Sequence, residues 1–207
     1  MNRCIIITGF IKGLIRDIVH LQEQDYIICA DAGLDLALKE HIIPHLFIGD
    51  GDSTDTRFEG ACISLPTRKD DTDLLYAVKH AVGCGYTDLW IIGGIGGRFD
   101  HSIASLQTLS YALEKGVNAR IVDEQTEICL CADRLVLSKK EGYTLSIFAF
   151  GGPCSGVSLS GTSYLLKNAD LSPSFPVGVS NLIVEESAVI EVKSGHLLVV
   201  QSKEKST

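Results

Sequence analysis

The sequence has no apolar run near the roughly 18 residues a membrane-spanning helix needs, and no low-complexity stretch. A basic surplus is also missing: 18 Lys and Arg stand against 26 Asp and Glu, a net charge of −8. General nucleic-acid binding needs the opposite, because basic groups must displace counterions from the phosphate backbone. A nucleotide substrate is still allowed, since a local set of carboxylates can hold a divalent cation that carries phosphates. The seven cysteines form no zinc motif: Cys129 and Cys131 are spaced C-x-C with no second Cys/His pair nearby. Cys4, Cys29, Cys62, Cys84 and Cys154 mostly sit in apolar segments, where a thiol packs as a small hydrophobe. Reduced thiols, and hence a soluble cytoplasmic protein, are expected. The short apolar run after Arg3 has no small-residue cleavage site behind it and reads as a first strand.

What is present is a chain of 207 residues, 45% hydrophobic, long enough for one large domain or two small ones. Strand-like runs at 3–8, 26–30, 45–49, 61–65, 89–92 and 119–122 alternate with helical spacing at 12–22, 34–40, 72–82 and 102–115. Alternation of this kind predicts βαβ units. Runs such as Ile5-Ile6-Ile7 lack strict period-two patterning, as strands buried on both faces should. Near residue 124 the texture changes to short alternating runs at 127–131, 134–137, 143–150, 157–159, 182–184, 188–192 and 196–201, separated by Gly, Ser and Pro. The expected fold is therefore α/β. A Rossmann-like parallel sheet with helices on both faces spans 1–124, and an all-β sandwich follows at 125–207.

In open parallel sheets, ligands gather in the loops at the carboxyl ends of strands. Four such loops are rich in acids and glycines. Ala30-Asp31-Ala32-Gly33 offers either a helix cap or a nucleotide contact, Gly33 permitting close approach. Gly49-Asp50-Gly51-Asp52-Ser53 sets two carboxylates one residue apart, suited to a hard cation or to a solvated turn. Lys69-Asp70-Asp71-Thr72-Asp73 carries more acid than helix capping needs, with Lys69 as a phosphate contact. Gly93-Gly94-Ile95-Gly96-Gly97-Arg98-Phe99-Asp100-His101 is a glycine turn whose N–H groups can face an anion, though it lacks both the Walker ending and G-x-G-x-x-G. There Arg98 can take phosphate in a fork, and Asp100 can hold metal or orient a hydroxyl. His101 is either a ligand contact or an ordinary first-turn residue. So many acids at one edge imply a cation.

The four motifs, in this order and spacing, resemble thiamine pyrophosphokinase, and the likeness covers the whole chain. The resemblance implies transfer of a diphosphoryl group from ATP to the hydroxyl of thiamine, leaving AMP. It implies Mg²⁺ on Asp50, Asp52 and Asp73, with Asp100, Asp73 and Arg98 as catalytic residues. Asp31, Gly33, Lys69, Asp70, Thr72, Gly96, Gly97, Arg98 and His101 would hold the nucleotide. It further implies a homodimer with active sites between subunits, thiamine meeting Asp100, Tyr164, Ser180 and Asn181. Tyr164 would stack on the pyrimidine, although Ser163-Tyr164-Leu165-Leu166 lacks the flanking Lys and Pro usual in the family and is also compatible with an ordinary strand tyrosine.

Two rivals keep the fold: a diphosphokinase for another hydroxyalkyl heterocycle such as a pterin, and a sensor that binds without turnover. A nicotinamide-dependent oxidoreductase is disfavoured, because Thr8-Gly9-Phe10-Ile11-Lys12-Gly13 stands where its glycine fingerprint belongs.

Overall fold

In the computed structural model, residues 2–50, 58–66 and 70–204 are described. Backbone proximity divides the chain into two compact units, Met1–Glu124 and Gln125–Thr207.

The first unit runs β1 (Arg3–Ile7), α1 (Ile15–Ile18), β2 (Tyr26–Ala30), α2 (Gly33–Lys39), β3 (Leu46–Gly49), β4 (Cys62–Ser64), α3 (Asp73–Gly83), β5 (Asp88–Ile92), α4 (Phe99–Glu114) and β6 (Asn118–Val122). Its strands lie in the order β4-β3-β2-β1-β5-β6, and every pairing is parallel. Residues Cys4 to Ile7 of β1 are fully buried. Because side chains alternate along a strand, Ile5 and Ile7 pack with Ile15, Leu34 and Ala37 beneath α1 and α2. Ile6 takes the opposite face, where α3 lies against β1, β2 and β3 and buries Ala77, Val78 and Ala81. Each fully buried Ile contributes about 2–3 kcal/mol relative to exposure. The uninterrupted apolar runs are thus strands covered by helices on both sides, as expected.

The second unit contains β7 (Thr126–Cys131), β8 (Arg134–Ser138), β9 (Tyr143–Ser160), β10 (Leu166–Leu171), β11 (Gly178–Asn181), β12 (Ser187–Glu191) and β13 (Ser194–Lys203). One sheet pairs β7 with β13, β13 with β9, and β9 with β11. The other pairs β8 with β12, and sets both β12 and β10 on the far half of β9. All these pairings are antiparallel, and β9 belongs to both sheets. Leu145, Ile147, Val157, Leu159, Ile190, Leu197 and Val199 fill the core between them.

Several elements depart from their expected bounds. The helical spacing at 12–22 yields only the four-residue α1. Its first N–H groups are taken by Glu40, with Ile15 N–H donating to Oε1 at 2.6 Å. Beyond it, Arg3 claims the His20 carbonyl at 2.9 Å and Asp25 accepts the Gln22 N–H at 2.7 Å. Those bonds remove the partners a longer helix would use, while Ile18, Val19 and Leu21 still reach the core. The runs at 143–150 and 157–159 are halves of one strand, β9, whose register with β13 shifts between Phe150 and Ser155. No strand forms at 182–184; Ile183 makes an isolated bridge to Thr162. The polar strand β10 gave no apolar signal.

Candidate active site

The strand order reverses direction between β1 and β5, and the loops after those strands therefore part to leave a crevice. A cavity of about 400 Å³ lies there. Thr8, Gly9 and Phe10 line it after β1, Ala30, Asp31 and Ala32 after β2, and Thr72, Asp73 and Leu74 at the start of α3. Gly94, Gly96, Arg98, His101, Ala104 and Ser105 close it from β5 and α4. The structure thus brings Asp31, Thr72, Asp73, Gly96, Arg98 and His101 together around one cavity.

Asp31 is held in the left-handed backbone region at φ 52°, which costs a non-glycine residue about 1–2 kcal/mol. Its N–H donates to the Ile48 carbonyl at 2.9 Å, and its own carbonyl accepts from Leu34 N–H at 3.2 Å. These bonds fix the turn from β2 into α2, whose N-cap is Ala32. Gly33 does not line the cavity. It is fully buried, and a methyl group added there would fall 2.1 Å from the Ile7 carbonyl oxygen, so the close approach it permits is between α2 and β1.

Thr72 caps α3, its hydroxyl accepting the Leu75 N–H at 3.1 Å. That bond places Asp73 in the first turn, where the helix dipole favours negative charge. Asp71 pairs with Lys79 at 2.6 Å rather than facing the cavity, and Asp70 is exposed next to it. Asp50 sits half-buried directly after β3, outside the cavity lining. Asp52 and Lys69 fall outside the described residues.

The glycine loop after β5 holds Gly93, Gly94, Gly96 and Gly97 at φ 82°, 82°, 91° and 61°, conformations that side-chain-bearing residues rarely adopt. Next to it, the Arg98 guanidinium forks onto Asp100, with Nε to Oδ1 at 3.1 Å and Nη2 to Oδ2 at 2.5 Å. The His101 N–H donates to the same Oδ1 at 3.0 Å. The Arg98 hydrogen bonds, aided by the His101 N–H, hold the Asp100 carboxyl below its ordinary range. Arg98 is raised in turn by that bond. Both side chains are well exposed, so the pair can exchange partners easily. Among the described residues no group of three or more His, Cys, Asp and Glu is gathered for a metal. The acids that face or flank the cavity, Asp31, Asp50 and Asp73, are oxygen donors of the kind a hard divalent cation takes.

Sequence reasoning missed Thr8, Phe10 and Ser102. The Thr8 hydroxyl donates to the Ile92 carbonyl at 3.0 Å and ties β1 to β5. The one signal for Thr8 and Phe10 was their position after β1.

In the second unit, Asn181 is buried and Tyr164 is 76% exposed. The Asn181 amide donates to the Tyr164 carbonyl at 2.7 Å and its oxygen accepts the Tyr164 N–H at 3.0 Å. Thr162 adds a hydroxyl bond to the same carbonyl at 2.9 Å. Ser180 is exposed at φ 57°, its N–H donating to Ser146 Oγ at 3.1 Å. The structure therefore brings Tyr164 and Asn181 into contact, through the backbone of the tyrosine.

A parallel α/β unit with a glycine loop, a forked arginine and carboxylates around its switch-point crevice defines a site of the phosphoryl-transfer class. Comparison with known proteins gives the family. A family model described as thiamin pyrophosphokinase, catalytic domain, matches residues 19–121, and one described as thiamin pyrophosphokinase, vitamin B1 binding domain, matches residues 134–197. Thiamine pyrophosphokinase of Bacillus subtilis is 27% identical over 207 residues, covering 95% of this chain and 97% of that one. A solved thiamin pyrophosphokinase family protein of Enterococcus faecalis is 27% identical, with a TM-score of 0.83 over 99% of this chain and 100% of its own. The solved Bacillus subtilis enzyme, at 24% identity, shares the fold with a TM-score of 0.90 over 99% and 100% of the two chains. The chain belongs to the thiamine pyrophosphokinase family.

Proposed function

We propose that the chain transfers a diphosphoryl group from ATP to the hydroxyl of thiamine, releasing AMP. The observation that carries this reading is the cavity at the β1/β5 switch point, where Arg98, Asp31 and Asp73 share one opening with the glycine loop. In the transfer, the thiamine hydroxyl oxygen bonds to the β-phosphorus, the bond from that phosphorus to the bridging oxygen breaks, and AMP leaves with the electron pair. Asp100 orients the hydroxyl and accepts its proton. Arg98 lets go of Asp100 to take the phosphates in the same forked manner, with Thr72, Gly96, Gly97, His101 and Lys69 as further nucleotide contacts. Such chemistry is mostly positioning and charge neutralisation. Asp50, Asp52 and Asp73 would hold Mg²⁺, which neutralises charge on the phosphate oxygens when bound.

Thiamine is proposed to meet Tyr164, Ser180 and Asn181 of a partner copy in a homodimer. The exposed apolar side chains Tyr164, Leu165, Phe175, Val177 and Val179 of the second unit support a covered surface there. None of the seven cysteines forms a disulfide among the described residues, which favours a reducing cytoplasm. No helix among the described residues is long and apolar enough to cross a membrane.

Purified protein given ATP, Mg²⁺ and thiamine should release AMP and thiamine diphosphate together. AMP released only with a different hydroxyalkyl heterocycle would refute the acceptor, and no AMP with any would refute the reaction. Light scattering should give twice the chain mass.

A further inference from the structure

The turn Gly96-Gly97-Arg98 poses a physical problem. Two consecutive glycines at positive φ are the most freely moving backbone available, yet they precede the arginine and aspartate on which the reaction depends. Rigidity has to come from outside the turn, and two side chains supply it. The Phe10 ring lies across the turn: a methyl group at Gly96 would fall 2.2 Å from one of its edge carbons, and one at Gly97 would fall 2.9 Å from the other edge. From the first turn of α4, Ser102 Oγ accepts the Gly96 N–H at 3.0 Å and lies 3.3 Å from the carbonyl oxygens of both Gly96 and Arg98.

We propose that Phe10 and Ser102 are positioning residues that brace the Gly96-Gly97-Arg98 turn and so hold Arg98 and Asp100 in place for the transfer. The proposal rests on the roles given above to those two residues. Placement argues against a merely structural part. Phe10 is 38% exposed at the cavity wall rather than in the core. The Ser102 bonds are solvent-exposed, where a hydrogen bond adds little global stability. What they constrain is local: the path of the chain into Arg98. The brace also explains why the two glycines carry no side chain even apart from φ, since a side chain at either would push the ring away.

The test compares Ser102→Ala and Phe10→Ala with the conservative Ser102→Thr and Phe10→Tyr. Readouts are kcat and KM for both substrates, deuterium uptake of the 93–101 segment, and the urea midpoint read by Trp90. The alanine variants should lose roughly 10- to 100-fold in kcat, the penalty for a group displaced by up to an ångström. Thiamine KM and the urea midpoint should stay within about twofold and the error of the fit, and uptake at 93–101 should rise. Threonine and tyrosine should restore the rate. Wild-type kcat in both alanine variants, or unchanged uptake, overturns the brace while leaving the function standing. A rate loss that merely follows the folded fraction also overturns it. If wild-type protein itself turns over no thiamine, the function fails separately. The brace is then decided by uptake and by ATP affinity, which calorimetry should find weakened at least threefold in Ser102→Ala; an equal affinity refutes it.

Discussion

In Gly33→Ala the new methyl carbon would sit 2.1 Å from the Ile7 carbonyl oxygen and 2.7 Å from its carbonyl carbon. Both are backbone atoms of β1, so no side chain can swing aside. An ordinary contact of about 3.5 Å requires α2 to retreat by about 1.4 Å. Leu34 and Ala37, the next buried residues of α2, are fully packed against the same sheet and would move with it. Overpacking a fixed core costs about 1–3 kcal/mol, and a backbone-on-backbone clash belongs at the top of that range. Alanine returns up to about 1 kcal/mol through its better helix propensity. The net loss is about 2 kcal/mol, which at a urea slope of about 2 kcal/mol/M lowers the midpoint by about 1 M. Trp90, the single tryptophan, lies on β5 and reports the first unit alone. The measurement is urea unfolding of both proteins by its fluorescence, beside their ATP KM. A midpoint unchanged within 0.2 M, roughly the fitting error, with a raised KM would refute the packing argument and return Gly33 to the nucleotide.

The Arg3–Asp25 pair is buried on the aspartate side, with bonds of 2.7 and 2.5 Å. Burial alone would raise that carboxyl, but the bonds from Arg3 and the Gln22 N–H outweigh it and hold the carboxyl below its ordinary value. Its contribution is therefore complete above about pH 4 and lost as pH falls through the depressed value in the folded state. Asp25→Asn should cost about 3 kcal/mol and flatten the acid limb of the urea midpoint; parallel curves would contradict this. Asp50→Ala and Asp73→Ala should each abolish turnover while the fold is kept, and full activity in either would remove it from the metal set. Asn181→Ala breaks the hold on the Tyr164 backbone and should destabilise the second unit by about 1–3 kcal/mol while raising thiamine KM about tenfold. Unchanged KM would mean that the placement of Tyr164 does not matter to the acceptor.

The α/β unit was legible because its signals are local. Ile5-Ile6-Ile7 and its sister runs could be strands buried on both faces, and Thr72-Asp73 starts a helix by its own chemistry. The 12–22 segment misled because its helix is bounded by two residues distant in sequence, Arg3 and Glu40, whose claims on the backbone leave no local trace. Strand β10 hid for a related reason: Leu166–Leu171 owes its strand form to pairing with β9, not to apolar alternation. At the site, chemistry-bearing residues stood out by type, so Asp31, Asp73 and Arg98 were named. Phe10 and Ser102 were not, since a phenylalanine and a helix serine acquire meaning only from what they touch.

The sharing of β9 between two sheets has a consequence for synthesis on the ribosome. All four of its partners, β10 to β13, are translated after it. Roughly 40 residues separate the end of β9 from the end of β13. At about 5–20 residues per second, an 18-residue strand with unpaired edges stands exposed for some 2–8 s. The first unit can close during that time, whereas the second closes late and all at once, so nascent chains stalled within that interval are the ones most open to aggregation.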